Sequence, residues 1–127
     1  MNLIKKHLLD SLYPLKLWRI PRDSLLDLGT GGGLPGIPLK IILSKHKLYL
    51  LDSNKRRISF LRRVSAELGL ESVFYLSGRA EVWGHDPRYR GHFNCVVSRA
   101  VARIAVLAEL GLPLVKLGGC LLLYKGK

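Results

Sequence analysis

A chain of 127 residues that is 48% hydrophobic has the length and the apolar content for one packed core, which excludes a disordered polypeptide and predicts a single domain over residues 1–127. Its formal charge of +12, from 21 Lys plus Arg against 9 Asp plus Glu, points to a polyanionic partner such as nucleic acid, with a solvated basic surface as the simpler alternative. Two cysteines, Cys95 and Cys120, are too few for a disulfide framework or a thiolate metal site, so they read as buried thiols in a reducing cytoplasm and no metal site is expected.

Residues 3–12 place Ile4, Leu8 and Leu12 at helical spacing with Lys5 and Lys6 outside, which predicts a short amphipathic helix and not a signal peptide. No apolar run is long enough to span a membrane, so the chain is expected to be cytosolic. Pro14 and Pro21 bracket a predicted linker that holds Trp18, and residues 24–28 form the first predicted strand. A helix over residues 37–44 leads to a second strand over residues 48–51, which ends in Asp52. Strand, helix and strand of these lengths make a βαβ unit and hence a parallel sheet.

From Lys55 to Leu68, Ile58, Leu61, Val64 and Leu68 fall at three- and four-residue steps, with Gly69 as the stop signal. Residues 73–76 are a third strand, residues 81–92 mostly loop and residues 93–98 a fourth strand. Residues 104–114 are a helix, and residues 120–124 a fifth strand after a Gly118-Gly119 turn. This alternation predicts a doubly wound α/β sheet of Rossmann-like type, with strand order 3-2-1-4-5 and flanking helices.

In an open parallel sheet, ligands bind beyond the carboxyl ends of the strands, so the residues after each strand carry the site. These are residues 29–36, Asp52, residues 78–81 and residues 98–100. The first of them, in Asp27-Leu-Gly-Thr-Gly-Gly-Gly-Leu-Pro-Gly, combine a glycine turn with the N-terminus of a helix whose free N–H groups suit a nucleotide-like ligand. Asp52 lies roughly 20 residues further on, the separation at which a carboxylate reaches ribose hydroxyls. Asp52, Ser53 and Asn54 are equally plausible caps for the helix that begins near Lys55. Gly31, Gly33 and Gly36 fit Gly-x-Gly-x-x-Gly, which keeps an NAD-dependent dehydrogenase as an alternative, although Pro35 and Pro38 crowd the third glycine. No Gly-Lys-Ser or Gly-Lys-Thr occurs, which removes a P-loop.

The Asp-x-Gly-x-Gly-x-Gly pattern from Asp27 resembles the cofactor loop of class I S-adenosylmethionine-dependent methyltransferases. With Lys6-His-Leu-Leu-Asp-Ser-Leu12, Leu51-Asp-Ser-Asn-Lys-Arg-Arg-Ile-Ser-Phe-Leu61, Gly78-Arg-Ala-Glu81, Val97-Ser-Arg-Ala-Val-Ala102 and Lys125-Gly126, the chain as a whole is similar to the bacterial 16S rRNA guanine-N7 methyltransferases of the glucose-inhibited division protein B family. The resemblance implies an S-adenosylmethionine cofactor and 16S rRNA or the small ribosomal subunit as partner, with no membrane and a monomer favoured for the full-length family. It implies a cofactor pocket that includes Asp27, Gly29, Gly31 and Leu34, with Asp52 on the ribose, Ala80 and Glu81 at the adenine, and Arg99 at the cofactor or the target guanine. No catalytic base is implied, because guanine N7 carries its own lone pair, and Arg99 is the one candidate for positioning the substrate.

Other roles stay open for these residues. Glu81 pairs with Arg79 or Arg99, Leu34 joins the core, and Trp83 and Tyr89 either pack in the core or stack on a displaced base. Arg62 and Arg63 are solvated helix charges or phosphate contacts, and His7, His46, His85 and His92 are expected at the surface or in the core. The family also implies further helices before Leu3 and an antiparallel strand pair after the fifth strand. The chain is therefore expected to be a truncated form, leaving residues 121–124 as an uncovered apolar edge, and a non-catalytic remnant that binds cofactor or RNA is the alternative to an enzyme.

Overall fold

The computed structural model of the chain describes residues 10–17, 20, 23–30, 32–99 and 103–124. Strands β1 (Ser24–Leu28), β2 (Lys47–Asp52), β3 (Val73–Ser77), β4 (Phe93–Ser98) and β5 (Val115–Leu123) form one parallel sheet in the order β3-β2-β1-β4-β5. Helix α1 (Pro14–Leu17) precedes the first strand, and α2 (Gly36–Ile42), α3 (Lys55–Glu67), α4 (Ala80–His85) and α5 (Ile104–Gly111) lie in turn between successive strands. The expected fold class and strand order are therefore those observed.

All five residues of β1 are buried, as a central parallel strand covered on both faces requires. Alternation along the strands divides the core in two. Leu25, Leu48, Leu50, Cys95 and Val97 pack on one face with Ile37 and Leu39 of α2 and Leu61 of α3. Leu26, Leu28, Leu51, Phe93 and Val96 pack on the other with Ala80 of α4 and Leu114. The α3 cap is Asn54, whose side-chain oxygen accepts the Arg56 and Arg57 N–H groups at 2.9 and 3.3 Å, and Gly69 turns the chain away at φ +65°.

Four expectations need correction. Pro14 does not begin a linker: its preset φ suits a first helical turn, and α1 puts Leu15 against the core. Residues 81–85 of the expected loop belong to α4, with Arg79 extended at its N-cap and Glu81 in its first turn. Its buried residues, Ala80 and Gly84, stand four apart on one face, and a Cβ at Gly84 would meet Pro113 at an ordinary contact distance of 3.6 Å. The helix over residues 104–114 ends at Gly111, because Pro113 lacks the N–H that an α-helix would use there, and Leu112–Leu114 form a 3-10 turn.

Gly118 and Gly119 lie inside β5 and not before it. Phe93 pairs with Val115 while Cys95 pairs with Cys120, so β5 bulges between these pairs. Gly118 takes φ +83°, and a Cβ on Gly119 would lie 2.6 Å from the Asn94 carbonyl oxygen. Cys95 is buried and Cys120 half-buried; the two are free thiols side by side, both pushed up by burial. The expected helix over residues 3–12 lies outside the described residues except at its end, as do His7, Trp18 and Pro21.

Leu61 and its neighbour Phe60 test the two sides of α3, since Leu61 is fully buried and Phe60 is 49% exposed. Leu61→Ala is expected to lower unfolding stability by about 2 to 5 kcal/mol, and Phe60→Ala by about 0.5 kcal/mol or less, in urea denaturation.

Candidate functional site

The chain leaving β1 crosses the end of β2: Gly29 at φ +70° and Thr30 both donate their N–H groups to the Leu51 carbonyl, at 2.9 and 3.0 Å. The loop then curls back. The Gly33 N–H donates to Thr30 O at 2.9 Å, and the Ile37 N–H donates to Gly33 O at 2.7 Å as α2 begins. At its centre is Asp27, one residue before the end of β1 and fully buried. Its Oδ2 accepts the Thr30 hydroxyl at 2.9 Å and the Gly36 N–H at 2.8 Å, so one carboxylate oxygen ties the start of the loop to its end.

Asp27 Oδ1 is buried with no hydrogen-bond partner among the described residues. Burial pushes the carboxyl up to about 7, against the opposing pull of the Gly36 and Thr30 hydrogen bonds. The glycines divide into two kinds. A Cβ on Gly36 would lie 2.7 Å from Asp27 Oδ2 and 2.9 Å from Leu50, and one on Gly33 would lie 2.8 Å from Ile37, so these two are small because protein packs against them. A Cβ on Gly29 or Gly32 would meet nothing within 4 Å. Among the described glycines of the loop, this second pair leaves backbone open to a ligand. Gly31 lies outside the described residues, and Leu34 is half-buried beside Pro35, so it is not a full core residue.

Asp52 ends β2 and is 4% exposed. Its Oδ1 accepts the Asn54 N–H at 2.8 Å and its Oδ2 lies 3.8 Å from the Arg57 guanidinium, so Asn54 and not Asp52 caps α3. The Gly78 N–H donates to the Asp52 backbone carbonyl at 3.1 Å, which draws the end of β3 alongside. Ala80 is buried at the start of α4 and Glu81 is exposed next to it; Glu81 makes no ion pair among the described residues, with Arg79 or with Arg99. Arg99 follows β4, and the buried Ser98 hydroxyl beside it donates to Leu28 O at 2.8 Å, tying β4 to the end of β1. Arg99 is not without a structural role: its guanidinium faces the Asp10 carboxylate at 3.9 Å.

The strand ends thus bring Asp27, Gly29, Leu34, Asp52, Ala80, Glu81 and Arg99 to one edge of the sheet. Sequence reasoning missed Asp10, because residues 10 and 99 are far apart in the chain and meet only in the folded protein. Trp83 donates its indole N–H to Ser77 O at 3.3 Å and meets Tyr89 edge to face at 5.2 Å, which makes both part of the ring cluster around Phe93. His46 is buried, His85 reaches Glu81 O at 2.6 Å, and His92 packs on Phe93. Among the described residues no group of His, Cys, Asp and Glu could hold a metal ion, and no helix is long and apolar enough to cross a membrane.

The family model described as GidB, rRNA small subunit methyltransferase G, matches residues 1–127. The chain belongs to this family. Proteins called ribosomal RNA small subunit methyltransferase G from Desulfitobacterium hafniense (strain Y51) and Synechococcus elongatus (strain ATCC 33912 / PCC 7942 / FACHB-805) are 50% and 46% identical over 125 residues, covering 98% and 97% of this chain and 52% of each relative. The chain therefore spans about half the length of the curated relatives it matches. Among solved structures, coclaurine N-methyltransferase, bound to N-methylheliamine and S-adenosylhomocysteine, superimposes with a TM-score of 0.78 at 14% identity over 97% of this chain and 37% of that one. An S-adenosylmethionine-dependent methyltransferase from Aquifex aeolicus gives 0.67 at 19% identity, over 91% and 63%. At these identities the two structures establish the fold.

The raised Asp27 pKa makes stability depend on pH with a definite sign. Between 3.8 and about 7 the folded protein keeps a proton that the unfolded chain has released, so this contribution is complete below about 4 and is lost as pH rises through 7. Urea unfolding at pH 5, 6, 7 and 8 is expected to show the wild type losing stability relative to Asp27→Asn by up to about 1.4 kcal/mol per unit. Parallel profiles would contradict the buried, proton-holding carboxyl.

Proposed function

We propose that this chain is the cofactor-binding domain of a bacterial enzyme that uses S-adenosylmethionine to methylate N7 of a guanine in 16S rRNA, in the cytoplasm. The observation that carries this is the family match over the whole chain joined to the pair of carboxylates, Asp27 and Asp52, at the ends of adjacent strands. The residues suit the group. Asp27 Oδ1 is a buried acceptor with no partner among the described residues, Gly29 and Gly32 leave backbone uncovered, and Asp52 is a second acceptor one strand away. Two carboxylates at adjacent strand ends favour a ligand with an ammonium group and vicinal hydroxyls.

In this reading Asp52 accepts hydrogen bonds from the ribose, Asp27 faces the cationic end, and Gly29, Gly31 and Leu34 line the pocket. Ala80 and Glu81 border the adenine, and Arg99 is positioned toward the cofactor or the guanine. When bound, S-adenosylmethionine supplies an electrophilic methyl group. Guanine N7 holds an unshared pair at neutral pH, so no side chain of this chain has to remove a proton, and the protein contributes alignment and a preorganised field. Exposed Lys55, Arg56, Arg57, Arg62 and Arg63 on α3 give the RNA backbone a basic surface, with Arg62 also stacked on Tyr75 at 4.5 Å.

Transfer of labelled methyl from S-adenosylmethionine to small-subunit rRNA, followed by mapping of the modified base, tests the reaction and separates an enzyme from a module that only binds. Calorimetric titration is expected to show binding of S-adenosylhomocysteine that Asp52→Ala weakens by about 1 to 3 kcal/mol. Saturable binding of NADH without the homocysteine product would favour a dehydrogenase instead. Affinity for RNA is expected to fall steeply with salt, and replacing Arg62 and Arg63 by Gln should flatten that slope by about 1 to 2.

A further inference from the structure

A cavity of about 240 Å³ opens at the C-terminal end of β5, walled by Asp10, Tyr13, Pro14, Leu122, Leu123 and Tyr124. Residues from both ends of the described chain build it, and one hydrogen bond holds them together: the Tyr124 hydroxyl donates to the Ser11 carbonyl at 2.7 Å. Burial pushes that hydroxyl up, so it stays neutral and the Tyr124 ring forms a fixed wall. Leucine side chains and tyrosine rings make the lining suited to a flat heteroaromatic group.

Asp10 gives this slot a polar edge. Its side chain is 48% exposed, while the Arg99 guanidinium that faces it at 3.9 Å is only 24% exposed. Arg99 is thus the more enclosed partner of the pair, facing Oδ2, and about half of the Asp10 side chain stays open to solvent. Arg99 follows β4, which lies between β5 and β1 in the sheet, so it links the slot at the end of β5 to the strand end that holds Asp27.

A carboxylate offers two acceptor oxygens side by side. Among the four RNA bases only guanine presents two adjacent donors on one edge, N1–H and the 2-amino group; adenine and cytosine set a donor beside an acceptor, and uracil has a single N–H. N7 lies on the opposite edge of the purine. We propose that this slot receives the target guanine, with Asp10 accepting from N1–H and the 2-amino group while Arg99 holds the carboxylate in place. The base is then gripped by the edge that leaves N7 exposed, which makes Asp10 a specificity residue for the guanine-N7 activity on which this inference rests. The base has to leave its stack to enter, as it does for other enzymes that act on a nucleobase.

Fluorescence anisotropy with short single-stranded RNAs, identical except for one guanine, inosine or adenine, tests the assignment on the 127-residue chain. The guanine RNA is expected to bind about tenfold tighter than the adenine RNA, with inosine between them because it lacks the 2-amino group. Asp10→Asn is expected to bring all three within about twofold. Asp10 is half exposed, so the variant keeps its fold, and its affinity for S-adenosylhomocysteine should stay at the wild-type value. Absence of a guanine preference in the wild type, or a preference that survives Asp10→Asn, overturns the proposal. Failure of the cofactor assignment appears separately, as a wild-type chain that does not bind S-adenosylhomocysteine, because the RNA comparison is made without cofactor.

Discussion

The buried carboxylate of Asp27 is the constraint around which the site is arranged. A charge at the end of a central strand is costly to bury, and here the cost is met partly by two hydrogen bonds and partly by a pKa raised to about 7. The hydrogen bond from Gly36 shapes the backbone. It requires the chain to return to β1 just as α2 starts, and a side chain at that position would collide with the same carboxylate. The described part of the loop is therefore closed by internal contacts at Gly33 and Gly36 and open at Gly29 and Gly32. One oxygen of the carboxylate builds the protein, and the other, Oδ1, is buried with no hydrogen-bond partner among the described residues.

The remaining strand ends are held to this loop by single hydrogen bonds that cross between elements. Gly29 and Thr30 bond to the end of β2, Gly78 bonds to Asp52, and Ser98 bonds to the end of β1. These bonds carry position more than stability, since each is worth on the order of 1 kcal/mol net. The packing on either face of the sheet supplies the stability, and it leaves the edge free for chemistry. Charge is separated from this edge in a similar way: the basic residues of α3 face solvent, while the acidic residues Asp27 and Asp52 are buried at the strand ends.

The first four strands and the parallel order were legible in the sequence because each follows from a local signal, an apolar run bounded by turn residues, and the same signals put Asp27, Gly29, Asp52 and Arg99 at strand ends. The helix of residues 80–85 was not, because it is short and only two of its residues, Ala80 and Gly84, are buried, too few to show a helical period. Gly118 and Gly119 were legible as punctuation but not as a bulge, since a turn and a bulge use the same residue for the same conformational freedom. The roles of the loop glycines were likewise mixed in the sequence, where all look alike. Space around each Cβ separates those that make room for protein from those that leave room for a ligand.

By itself the sequence determined the doubly wound sheet, the loop that begins at Asp27 and the carboxylate of Asp52, because periodicity and spacing within about 20 residues encode them. Only the tertiary structure decided which Asp27 oxygen is committed, that Asn54 and not Asp52 caps α3, and that Asp10 meets Arg99 beside the end of β5. The reason is distance along the chain. Tyr124 and Ser11 stand 113 residues apart, and no local pattern can announce a contact that exists only after five strands have been laid side by side.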